Sequence, residues 1–183
     1  MGRFMNHKKW MAVIALAVTA LILTHLPVSE ADAAASASDF QTQGSTLVKY
    51  RGTEERVTIP DTVEVVGESA FENNQKVQFV VIPKSVKRLD AYVFWGCNNL
   101  EEVVLGKGLT AVDEYSFAGC TGLKQITIPE NIQSIDAQAF AGCVNLTDIY
   151  IPATVTGIAE DAFLNCDNVT IHADEGSVAA QFA

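Results

Sequence analysis

Four cysteines, Cys97, Cys120, Cys143 and Cys166, follow one another at an interval of 23 residues. Thiols in that number could form two disulfides, hold a metal ion or supply a nucleophile. A structural zinc site needs close pairs such as C-x-x-C, which an even interval of 23 does not supply. Other chemistry-bearing residues are sparse. His7 and His25 lie in the N-terminal stretch, so His172 is the one imidazole of the remaining chain. A Ser-His-Asp or Cys-His set would have to use His172, and no nucleophile elbow stands beside it. The carboxylate neighbours Glu101-Glu102 and Asp113-Glu114 would alternate across the faces of a strand or turn, which makes them solvated charge rather than an acid–base pair. Gly-rich phosphate loops and H-E-x-x-H are absent. These residues predict a non-catalytic chain without metal or cofactor.

What must position the cysteines is a repeat. The five residues "SFAGC" at 116–120 return as "AFAGC" at 139–143, and the period of 23 extends over the whole central chain. Units begin at Val57, Val80, Val103, Ile126 and Ile149, and apolar residues recur at unit positions 1, 3, 7, 10, 15 and 21. Position 15 is always phenylalanine: Phe71, Phe94, Phe117, Phe140 and Phe163. A unit of this length cannot bury its own apolar face, whereas stacked units bury one continuous core. Positions 1 and 3 flank an outward residue and predict a short strand. Pro60, Pro83, Pro129 and Pro152 end it, because proline has no N–H for the ladder; Gly106 takes that place in the third unit. Asp90, Asp113 and Asp136 precede each phenylalanine segment and are expected to cap a short helical turn. Gly142 is expected to release that turn with positive φ.

The N-terminus has a different composition. Arg3, Lys8 and Lys9 precede an apolar run from Trp10 to Leu26, followed by small residues around Ala31-Asp32-Ala33 and Ala35-Ser36-Ala37. This order predicts a secretory signal peptide over 1–35, and the run falls short of a membrane span. No cysteine follows it as a lipid anchor would require, and "MGRFMN" lacks a myristoylation serine or threonine. The chain after cleavage is thus expected to be exported, touching a membrane only through the signal peptide. Its net charge would be about −11, which disfavours nucleic acid and anionic lipid surfaces.

The stretch "ITIPENIQSIDAQAFAGCVNLTDIYIP", with its I-P, I-x-x-x-A-F, G-C and L, resembles the BspA-like leucine-rich repeats of secreted and surface proteins. The resemblance covers about 47–183. It implies an α/β repeat fold: a right-handed leucine-rich repeat solenoid with parallel strands on the concave face. "LVKYRGTEERVTIPDTV" resembles the family's first unit, and "VTIHADEGSVAAQFA" its closing element. The expected organisation is a short flexible linker at 36–46, an N-terminal cap at 47–56, repeats at 57–170 and a C-terminal cap at 171–183, in a monomer capped at both ends. Three departures stand out: Gly106 for proline, Asn74 for the cysteine of the first unit, and a shortened last unit.

In such a stack, equivalent side chains point in parallel, so the cysteines are expected to be four buried, reduced thiols despite export. Function then falls to the outward residues of the strands. Position 2 carries Thr58, Val81, Val104, Thr127 and Tyr150, and the residue before each unit is Arg56, Phe79, Glu102, Gln125 or Asp148. Phe79 with Val81, and Tyr150 beside Asp148, would expose aromatics on one face, as binding surfaces do. The expected partner-binding set is Phe79, Val81, Glu102, Val104, Gln125, Thr127, Asp148 and Tyr150. Tyr92 and Trp95 fall on the turn side, where Trp95 is either exposed or part of the core. By resemblance the partner is an extracellular or cell-surface protein, a matrix protein for instance, with glycan as the other candidate. A structural or accessory component of the cell envelope is the alternative role. "NLT" at 145–147 and "NVT" at 168–170 are glycosylation acceptors in a eukaryotic host.

Overall fold

The structure is a computed structural model and describes residues 35–183. The expected signal peptide therefore lies outside the described residues, Ala35 excepted. The chain enters through a 3-10 turn, Ala37–Asp39, closed by a capping box in which Ser36 and Asp39 bond each other's backbone. Strands β1 (Phe40–Gln43) and β2 (Thr46–Tyr50) then form an antiparallel hairpin. This corrects the flexible linker expected at 36–46. Phe40 is only 8% exposed because its ring packs on Tyr50, so the segment is held by apolar contact as well as by the hairpin ladder.

From there the 23-residue period becomes a parallel solenoid. One wall is built from β3 (Arg56–Thr58), β5 (Phe79–Val81), β7 (Glu102–Val104), β9 (Gln125–Thr127), β11 (Asp148–Ile151) and β13 (Thr170–Ala173). The second wall follows β2 with two-residue strands: β4 (Val65–Val66), β6 (Arg88–Leu89), β8 (Ala111–Val112), β10 (Ser134–Ile135) and β12 (Gly157–Ile158). Register is in phase with the repeat, so Arg56, Phe79 and Glu102 are ladder neighbours, as are Gln125, Asp148 and Thr170. Each proline accepts the amide three residues on, Val63 bonding Pro60 at 2.9 Å, and this turns the chain from the first wall toward the second.

The third wall is not helical, which corrects the expected capped helical turn. Ser69, Tyr92, Tyr115 and Gln138 all take positive φ, as do Gly96, Gly119 and Gly142 four residues later in their units. An α-helix excludes that geometry, whereas the third residue of a type II turn requires it. Successive turns close through Ser116 N–H to the Asp113 carbonyl (3.2 Å) and Cys120 N–H to the Phe117 carbonyl (3.1 Å). Gly142 does take φ of +71°, in a β-turn rather than at a helix end. The only α-helix of the described residues is α1 (Val178–Phe182), in the closing segment and capped by Ser177. The fold is therefore a parallel β-solenoid of leucine-rich-repeat type with little helix.

Its axis is an aromatic stack. Rings run Phe40, Tyr50, Phe71, Phe94, Phe117, Phe140, Phe163 and Phe182, with successive centroids between 4.9 and 6.0 Å apart. Tyr50 occupies the phenylalanine place in the first turn, since its N–H bonds the Ala70 carbonyl as Phe117 N–H bonds that of Ala139. Phe40 and Phe182 cover the two ends. Burial of each inner ring contributes about 2–3 kcal/mol.

Candidate functional site

The cysteine column resolves into packing. All four thiols are free and buried. Each donates to the phenylalanine carbonyl of the preceding unit: Cys97 to Phe71, Cys120 to Phe94 and Cys143 to Phe117 at 3.1 Å, and Cys166 to Phe140 at 2.9 Å. Burial pushes the Cys97 thiol up to about 12 and the Cys120 thiol well above its ordinary value. Burial of this kind holds Cys97 and Cys120 protonated and inert as nucleophiles. Asn74 replaces cysteine in the first unit, and its Oδ1 instead accepts the Lys76 and Val77 amides of its own turn. Among the described residues, no group of three or more His, Cys, Asp or Glu side chains is placed to hold a metal ion.

The outward side chains of the first wall are those of β3, β5, β7, β9, β11 and β13, and they divide into two halves. Strands β3, β5 and β7 form one hydrogen-bonded sheet, and β9, β11 and β13 another. At the seam the Lys124 amide reaches the Glu101 carbonyl only at 3.5 Å, while the Lys124 ammonium bonds the Glu101 carboxylate at 3.0 Å. The first half is apolar. Phe79 and Val81 are half-buried and Val104 is 36% exposed. The Arg56 guanidinium lies 4.3 Å from the Phe79 ring centroid, stacked over its face. Glu102 sits beside Phe79 in the ladder and is half-buried.

The second half is polar. Gln125 is exposed and Thr127 half-buried. Asp148 bonds His172 at 2.9 Å, and that bond holds its carboxyl below the usual range. Tyr150 does not fit the expectation of an exposed aromatic. It is 4% exposed, and its hydroxyl donates to Asp174 at 3.0 Å. The closing segment after β13 supplies that acceptor and covers the ring, so Tyr150 belongs to the C-terminal cap. Burial, then Asp174, raises its phenol well above the ordinary value.

Of the expected set, Phe79, Val81, Glu102 and Val104 lie together on one sheet, and Gln125, Thr127 and Asp148 on the next. Two groupings were missed from the sequence. One is the Asp148–His172 pair, since a contact 24 residues apart across the shortened unit shows only once the register is known. The other is an aromatic cluster on the turn wall: Tyr92 stacks on Tyr115 at 4.7 Å, and Trp95 meets Tyr92 edge-on at 6.3 Å. Trp95 is 42% exposed, which settles its place outside the core. Tyrosine at the same place in two adjacent units was the available signal.

The comparisons with known proteins agree with this geometry. The profile of the BspA type leucine rich repeat region matches residues 49–170 in six copies. A leucine rich cell surface protein of Faecalibacterium prausnitzii A2-165 is 34% identical, with a TM-score of 0.70 over 74% of this chain and 36% of its own. This chain thus spans little more than a third of that protein. The leucine-rich repeat protein of T. pallidum is 26% identical, with a TM-score of 0.72 over 75% of this chain and 70% of its own. A leucine-rich repeat protein of Bacteroides ovatus is 29% identical, with a TM-score of 0.62 over 71% and 36%. No curated protein matches. No helix among the described residues is long and apolar enough to cross a membrane. The chain belongs to the BspA-type leucine-rich repeat family.

Proposed function

We propose that the protein is a secreted, non-catalytic interaction module, adhesin-like in role. It binds a surface or matrix protein of a host or neighbouring cell through the first wall, taken as the concave face of a right-handed solenoid. The observation that carries this reading is the contrast along that wall. Inward residues repeat from unit to unit, whereas their outward neighbours run Arg56, Phe79, Glu102, Gln125, Asp148 and Thr58, Val81, Val104, Thr127. An unvarying scaffold that displays different side chains at each step suits recognition rather than self-support. The half-exposed strip of Phe79, Val81 and Val104 supplies the apolar centre, and Arg56, Glu102 and Asp148 the polar rim. Resemblance to a leucine rich cell surface protein supports the extracellular setting.

The test is binding of the full chain to immobilised extracellular-matrix and cell-surface proteins. Saturable binding that weakens in Phe79→Ala supports the proposal. Retention in the wall fraction with no protein ligand favours the structural envelope role instead.

A further inference from the structure

The cluster of Tyr92, Trp95 and Tyr115 lies on the turn wall, away from the strands just discussed. The fold does not require aromatics there. The place of Tyr92 and Tyr115 is filled by Ser69 in the first unit and Gln138 in the fourth, with the same positive φ. The place of Trp95 is filled by Glu72, Ala118, Ala141 and Leu164. Tyr92 and Tyr115 hold φ of 61° and 54°, a conformation that bulky side chains rarely adopt. Three large rings are therefore gathered at the surface in two adjacent units only, two of them, Tyr92 and Tyr115, against local backbone preference. Trp95 is the most exposed aromatic among them.

Their surroundings are acidic. Glu68 and Glu114 lie one unit to either side of Ala91, and Tyr92 N–H bonds the Glu114 carbonyl. Glu72 precedes Asn73, whose N–H bonds the Trp95 carbonyl at 2.7 Å. None of these three glutamates has an ion-pair partner among the described residues. Desolvation first, then Tyr115, then the charges of Glu114 and Glu68 raise the Tyr92 phenol. One cation approaches the edge, Lys49, and its ammonium is bonded to the Ser69 carbonyl at 2.9 Å. Aromatic faces and carboxylates without an ion-pair partner together attract a guanidinium or ammonium by cation–π and Coulomb terms.

We propose that Tyr92, Trp95 and Tyr115, with Glu68, Glu72 and Glu114, form a second docking patch for a cationic, arginine- or lysine-bearing segment of a protein partner. The patch is separate from the strand wall, and either can fail without the other.

The chain has two tryptophans, so Trp10→Phe leaves Trp95 as the only reporter. The test titrates full-length Trp10→Phe protein with a hexa-arginine peptide, with a hexa-serine peptide and a neutral oligosaccharide such as maltohexaose as comparisons. The expected result is a saturable change in Trp95 emission with hexa-arginine alone, weakened by salt. Glu68→Gln with Glu114→Gln, and separately Tyr115→Ala, should each weaken binding about 5-fold or more, while the distant Glu175→Gln leaves it unchanged. An equal loss in Glu175→Gln would mean diffuse attraction to an acidic chain and would overturn the proposal. So would no response, or a response to the oligosaccharide in place of the peptide. The glutamine variants keep every ring, so they remain informative even if Tyr115→Ala unfolds.

Discussion

The thiol of Cys143 donates to the carbonyl of Phe117, 26 residues earlier and one unit back, at 3.1 Å. That bond joins the two columns that define the repeat. The phenylalanine fills the axis, and the next unit's fully buried cysteine satisfies its carbonyl. An apparently reactive residue type thus serves as a small internal strut. Replacing Cys143 with alanine removes a weak buried donor, and a loss of about 1–2 kcal/mol in denaturant unfolding is expected.

The same geometry predicts thiol reactivity. Native protein treated with a thiol reagent at pH 8 should label slowly, and denatured protein should yield four sulfhydryls. Cys166 should react first in the native state, because it is 6% exposed while Cys97, Cys120 and Cys143 are sealed. Mass spectrometry of partially labelled protein checks both the count and the order. Fewer than four free thiols after denaturation would mean that disulfides form.

The aromatic stack predicts a gradient of mutational cost. Phe117 and Phe140 are fully buried between two neighbouring rings each, so alanine at either should cost about 3–5 kcal/mol. Phe163 is half-buried next to the end of the stack, and Phe163→Ala should cost less. Urea midpoints of the three variants, measured side by side, test the order.

The carboxylates before the turns predict a pH effect. Asp113 lies between Asp90 and Asp136, and burial first, then those two charges, raise it from 3.8 to about 6. A raised folded-state value means that protonated Asp113 favours the fold. That contribution is full below the unfolded value near 3.8 and is lost as pH rises through about 6. Asp113→Asn should therefore raise the melting temperature at pH 7.5, with the gain shrinking below pH 6 and vanishing near pH 4. A gain that is constant with pH would contradict the burial of this carboxyl.

Glycines separate close approach from open space. A Cβ on Gly108 would overlap the Val86 and Lys84 carbonyl oxygens of the preceding unit, whereas one on Gly157 would meet only the Ser134 Cβ at 3.8 Å. Gly108→Ala should cost about 1–3 kcal/mol, and Gly157→Ala should be neutral or add up to about 0.5–1. Thermal melts of both variants suffice.

Much of the fold was legible because the repeat multiplies every signal. Five phenylalanines in phase announce an axis, and β-branched residues before proline announce a strand end. The turn wall was misread as helical because Asp followed by small and aromatic residues fits a capped helix as well as a pair of type II turns. Only the φ values of Tyr92, Tyr115 and Gly142 separate the two. The N-terminal hairpin was missed since β1 is polar outward, and Phe40 alone hints at its packing. On the candidate wall, alternation put Phe79, Val81, Glu102 and Val104 on one face, and the register makes them neighbours across β5 and β7. It did not foresee that the closing segment covers Tyr150, because that contact depends on where the chain returns after the last unit.

The most direct measurement of the wall's role compares the affinity of the wild-type chain for its captured surface protein with that of Phe79→Ala and Val104→Asp. Gln41→Ala on the exposed face of β1 serves as the control. Both substitutions on the wall sit at solvent-contacting positions, and unchanged melting curves would establish that the solenoid is intact. The account predicts weakening of about tenfold or more for each wall variant and none for the control. Equal affinity for all four proteins would contradict it.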